Sequence, residues 1–239
     1  DVYKRQATAL VDADFPKATV DEANGYVTPA VWTGNGTDEG LTVSKTNKVF
    51  TATANKGKST ESVIPYEPTD PTNPTDKGDP KIPTEDDNHK TIDKNDYVNV
   101  AFNVAPEGSG ILTLGKIADK AVVSALVKKG TDWKDVKLPT TTATTDYTFW
   151  YGTAKTGAVA DGDIRTAHFI KSGDEIQPGD PKLPDGFFKV TVGKGDGVKA
   201  DKLFGKTYAV KENDKLAKDK FPTLVACLLY TSPSPRDRG

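Results

Sequence analysis

Few side chains in this chain have the types and spacing of a reactive site, and each has a plainer reading beside it. The two histidines are His89, in an acidic stretch, and His168, in an alternating apolar segment. As a ligand or general base His168 needs partners, and no Ser-His-Asp or Cys-His set assembles around it. The alternation instead predicts an exposed strand residue, with Ala167 and Phe169 on the opposite face. Asp86-Asp87 and Asp161-Gly162-Asp163 offer the oxygen ligands that Ca²⁺ takes, but neither has the D-x-[DN]-x-[DN]-G order of an EF-hand loop. Asp161-Gly162-Asp163 reads as a turn before a strand. Gly34-Asn35-Gly36 and Gly193-Lys194-Gly195-Asp196-Gly197 lack the G-x4-G-K-[ST] order of a phosphate loop and read as strand connections. The aromatics Trp32, Trp133, Trp150 and Tyr151 offer a different chemistry, because exposed rings stack on sugars. Neighbours on a strand face opposite ways, so one of Trp150 and Tyr151 must leave the core face. These two are the candidate ligand contacts. No catalytic, cofactor-binding or metal-binding residue is assigned, and no cofactor is expected.

The elements that must position such residues come from a repeat, which is sought first in a chain of this length. Val127, Trp133 and Leu138-Pro139 share their spacing with Val210, Leu216 and Phe221-Pro222. Leu10 and Phe15-Pro16 repeat the tail of the signature. Trp133 occupies the position held by Leu216 and Leu10, which marks it as a core residue. Tyr97 to Phe102 and Phe187 to Val192 precede the second and third copies, each with the alternation of a half-buried strand. Asn24-Gly25-Tyr26 and Asp146-Tyr147 follow the first and second copies, and both lead to ends of V/I-x-P type at Val63-Ile64-Pro65 and Ile176-Gln177-Pro178. Residues 7–65 are therefore the C-terminal part of a first repeat. Residues 97–178 are a complete second repeat, and residues 187–226 the N-terminal half of a third. Residues 66–96 form an acidic Pro/Thr linker, expected to be extended and partly disordered because its Pro-rich part has almost nothing to bury. Residues 179–186 form a short linker. Gly78-Asp79-Pro80-Lys81-Ile82-Pro83 is nearly copied at Gly179-Asp180-Pro181-Lys182-Leu183-Pro184, so the linker belongs to the repeating unit.

Within the complete repeat the pattern predicts strands at 97–104, 121–128, 147–151 and 164–170. A helix-like turn at 131–137 is capped by Thr131 or Asp132 and stopped before Pro139. The order is β-β-α-β-β, a mainly β (α+β) class. The expected core is Val98, Val100, Phe102, Val123, Ala125, Val127, Trp133, Val136, Tyr147, Phe149, Ile164 and Phe169.

This pattern resembles the Listeria–Bacteroides repeat group, the internalin B-repeat type of β-grasp module. Val100-Ala101-Phe102 matches its first strand, Val127-Lys128-Lys129-Gly130 the end of its second, and Trp133 to Pro139 its helix and proline. Tyr147-Thr148-Phe149-Trp150 matches its aromatic motif, with Asp146 in place of Gly and the Trp early. The resemblance implies tandem β-grasp-like repeats in a secreted or wall-associated surface protein, typically of a Gram-positive bacterium. Such modules act as non-catalytic stalks and adhesive arms towards a host or bacterial surface protein or glycan, and a complete repeat is monomeric. The alternative is accessory modules, carbohydrate-binding or otherwise, of a large extracellular enzyme. Leu138-Pro139-Thr140 resembles the start of a wall-sorting signal but lacks its glycine, apolar segment and basic tail, and is read as the proline of the repeat.

The ends carry a different resemblance. Asp1 to Gln6 is the translation of GATGTGTATAAGAGACAG, similar to the mosaic end of a transposon used to fragment DNA for sequencing. The chain from Cys227 is the translation of the same end reversed and running into adapter. Residues 1–6 and 227–239 are thus expected to be adapter artefacts flanking a metagenomic fragment, and they are set aside in fold reasoning. The formal net charge of the whole chain is −2. Setting aside Lys4, Arg5, Arg236 and Arg238 with Asp1 and Asp237 makes it two charges more acidic. That balance excludes a nucleic-acid partner, which needs a basic face. Arg165 is then the single arginine and cysteine is absent, which excludes disulfides, thiol catalysis and the usual structural zinc. No apolar run is long enough to span a membrane.

Overall fold

The computed structural model describes residues 12–34, 49–70, 72 and 81–224. The adapter-like ends, Leu10, and the linker residues 71 and 73–80 lie outside the described residues. The chain is mainly β. Its strands are β1 (Tyr26–Gly34), β2 (Phe50–Lys56), β3 (Val63–Pro65), β4 (Tyr97–Ala105), β5 (Gly110–Leu114), β6 (Ile117–Lys120), β7 (Val122–Lys128), β8 (Thr140–Ala143), β9 (Tyr147–Gly152), β10 (Asp163–Lys171), β11 (Asp174–Ile176), β12 (Phe187–Thr191) and β13 (Thr207–Lys211). The helical pieces among the described residues are single 3-10 turns.

The central unit is built on a five-stranded sheet of order β3-β7-β4-β10-β9. β4 and β10 run parallel, while the other neighbours are antiparallel. β4 alternates as its sequence requires: Val100, Phe102 and Val104 are buried on one face. A small sheet of order β6-β5-β8 covers that face and adds Leu112 and Leu114 to a core with Val123, Val127, Trp133, Val136, Val159 and Phe169. Gly110 is required where the two layers meet: a Cβ there would lie 2.5 Å from the Phe169 ring.

Most of the expected core is buried, with Val98 and Tyr147 packed at its margin. Phe149 and Ile164 are corrections. They are 43% and 52% exposed. The covering sheet stops short of Phe149 on β9, while Ile164 pairs with Ala101 and lies on the sheet face away from the core. The expected helix at 131–137 is a second correction. Only Trp133–Asp135 makes one 3-10 turn, capped by the Asp132 carboxylate on the Lys134 N–H at 3.0 Å. Gly130, in the left-handed region, and Pro139 leave too few residues between them for a stable helix, and the backbone before a proline prefers the extended region.

Segments that follow one another in the chain are joined through their sheets. β3, at the end of the first repeat by sequence, pairs with β7 of the second, with Ile64 opposite Leu126. β11, at the end of the second, pairs in the same way with β13 of the third, with Asp174 opposite Ala209. β3 and β4 are each antiparallel to β7, and β11 and β12 are each antiparallel to β13. So β3, β4 and β10 all run in one direction, and β11 runs with β12.

A matching apolar cluster seals each junction. Ile64, Leu126, Tyr97 and Ile92 are buried together, with Tyr66 and Ile82 packed against them. Ile176, Ala209, Phe187, Leu183 and Ile170 form the second cluster, with Trp150 against it. Ile82 and Leu183 hold the same place in the near-copied linker sequence. Residues 81–96, read from the sequence as the end of an extended linker, are thus docked on the sheet. The reason is local: Ile82 and Ile92 give this part of the linker apolar side chains, while Lys56 and Glu85 pair at 2.6 Å and Ser59 donates to Asp86 at 2.9 Å.

Candidate functional site

β9 and β10 position the two aromatic candidates. Trp150 lies on the sheet face opposite the main core. Its indole N–H donates to the Lys182 carbonyl at 2.9 Å, and its ring packs on the second junction cluster. Tyr151 stacks on His168, with centroids 4.4 Å apart and planes 10° from parallel, and meets Trp150 edge to face at 5.0 Å. Both rings are half-buried. The structure therefore brings Trp150 and Tyr151 together, each with intramolecular partners.

His168 differs from the exposed strand residue expected of it. It is half-buried under Tyr151, and its Nε2 lies 3.2 Å from the Thr153 hydroxyl. Desolvation pushes its pKa below the ordinary value of 6.5. The alternation argument placed its face correctly. What it missed is that the chain turns at 172–173 and brings Ile170 of that same face against the third unit.

The carboxylate pairs are built into turns. Asp161 accepts from the Asn99 backbone and side-chain N–H groups, both at 2.8 Å. Asp163 accepts from Ala160 N–H at 3.0 Å, Lys155 at 2.9 Å and the Trp133 indole at 3.1 Å. These donors, led by the Ala160 backbone, hold the Asp163 carboxyl down at about 2. Gly162 between them adopts φ +79°, which glycine tolerates in such a turn. Asp86 is buried and accepts from Asn88 and Lys90 N–H and from Ser59, while Asp87 pairs with Lys116 at 3.0 Å. Among the described residues no group of three or more His, Cys, Asp or Glu side chains is placed to hold a metal ion.

One concave feature stands apart from the junctions. A cleft of about 170 Å³ opens where the small sheet ends and leaves Phe149 uncovered. Phe102 and Leu112 reach it from the core, and Leu138, Pro139 and Phe149 form apolar walls. Phe149 stands edge-on to Phe169 at 5.7 Å. Arg165 also lines the cleft, with its guanidinium carbon 5.9 Å from the Trp133 ring centroid. No carboxylate lies within 4.0 Å of it among the described residues, since Asp163 is engaged by Lys155, Ala160 and Trp133. Sequence reasoning missed this site because Phe149 reads as a core residue and Arg165 only as the single arginine.

No protein family, curated protein or solved structure matches the chain. Among the described residues no helix is long and apolar enough to cross a membrane.

Proposed function

We propose that this chain is a non-catalytic repeat region of a secreted or wall-associated bacterial protein, and that its units serve as a tension-bearing stalk for adhesion. The observation that carries the reading is the strand passed across each junction: β3 in the sheet of the second unit and β11 in that of the third. A β-grasp relation is supported by the sheet order of the second unit. Counting only its own long strands β4, β7, β9 and β10, that order is second-first-fourth-third, with the first and last parallel.

The strand directions favour work under load. Tension along the chain enters the second unit at the start of β3 and leaves at the end of β10. These strands run in the same direction, so opposite pulls on them slide the strands along one another. Ladder hydrogen bonds lie across the strands. Sliding strains them together, whereas peeling opens them one at a time. If β3 gives way first, residues 66–96 are released and add roughly 100 Å at about 3.4 Å per residue, while β4 and β10 still oppose the load as a second parallel pair.

Stretching the full chain from its ends in a single-molecule instrument tests this. The expected record is a resisted rupture with a first extension of about 100 Å, followed by a separate event for the second unit. Extension at negligible force, as for a flexible linker, contradicts the stalk reading. The second reading, an accessory module that binds carbohydrate, is favoured by the cleft beside Phe149.

A further inference from the structure

We infer that the cleft between the small sheet and the β9–β10 edge is a binding site for a carboxylate-bearing sugar, a uronic or sialic acid residue at the end of a glycan. This goes beyond the stalk reading and does not depend on it.

Three features of the cleft carry the inference. Its volume, about 170 Å³, suits one six-membered ring, since cavities near 150 Å³ take up a benzene-sized molecule. Its walls present the exposed face of Phe149 beside Leu138 and Pro139, an apolar surface of the kind on which the C–H face of a pyranose packs. Its polar groups are few and convergent, as in small-molecule sites. Arg165 contributes a fork of donors that matches a carboxylate, and no carboxylate of the described chain approaches it. Thr141 lines the same space.

Thr141 narrows the chemistry further. Its strand partner is Leu112, so it belongs to the small sheet that forms one side of the cleft. Ring hydroxyls supply hydrogen-bond partners to Thr141 while the carboxylate meets Arg165. A leucine-like side chain with a carboxylate satisfies the arginine and offers the threonine nothing.

The test is titration of the ¹⁵N-labelled full chain, followed by NMR, with glucuronic acid, N-acetylneuraminic acid, glucose and N-acetyl-leucine at millimolar concentrations. The expected result is saturable shifts of the Arg165, Phe149 and Thr141 signals with one or both acidic sugars. Glucose should bind at least tenfold more weakly. Arg165→Gln should lower the affinity for the acidic sugar at least tenfold while the amide spectrum remains that of a folded chain. Phe149→Ala, a change at an exposed ring, should weaken binding of acidic sugar and glucose alike. No shift with either acidic sugar overturns the inference. Equal binding of glucose, or binding unchanged in Arg165→Gln, overturns the role of the carboxylate. Preferential binding of N-acetyl-leucine overturns the sugar in favour of a peptide end.

Discussion

Trp133 sits where the other two copies of the signature carry leucine, and it is 2% exposed. Its ring meets Phe102 edge-on and its N–H is satisfied by Asp163. Trp133→Ala should therefore cost about 3–5 kcal/mol in urea denaturation, and Trp133→Leu clearly less; equal losses contradict the repeat equivalence. Asp163 gives a pH signature. Its carboxyl is held at about 2 in the fold against an ordinary 3.8, so its contribution is present above pH 3.8 and is lost as the pH falls towards 2. Asp163→Asn should flatten the fall in stability across that window, measured by denaturant midpoints at several pH values. His168 has the opposite charge type: desolvation disfavours its protonated form, so it should titrate below 6.5 by NMR, and a value above that contradicts its burial under Tyr151.

The main strands of the complete unit were legible in the sequence because alternation reports them directly. The predicted 97–104, 121–128, 147–151 and 164–170 lie within about a residue of β4, β7, β9 and β10. The turn at Asp161-Gly162-Asp163 and the core place of Trp133 were legible too. The small sheet was not. β8 is Thr140–Ala143, a run without large apolar residues, and β5 and β6 are short strands around Leu114 to Ile117. The passing of β3 and β11 to the next unit was also hidden, since a three-residue strand carries no period to read. The matched ends Val63-Ile64-Pro65 and Ile176-Gln177-Pro178 and the recurrence of Ile82 and Leu183 marked the two places as equivalent, but not the pairing with the next unit. Ile64 is 3% exposed in the first junction cluster, and Ile64→Ala should cost about 2–5 kcal/mol, lost from the sheet of the second unit.

For the whole molecule, strands shared between units tie neighbours together as in repeat arrays, where stability is a sum of unit and interface terms. The central claim is that the last strand of each repeat completes the sheet of the next. Native-state hydrogen exchange of the full chain, read at single residues for the wild type and for Ile64→Ala, tests it most directly. The account predicts slow exchange of the hydrogen-bonded amides in β3 and β11, and faster exchange throughout β7 and β4 when Ile64 is truncated. Rapid exchange in β3 and β11 of the wild type, or a loss of protection in Ile64→Ala confined to the first repeat, would contradict it.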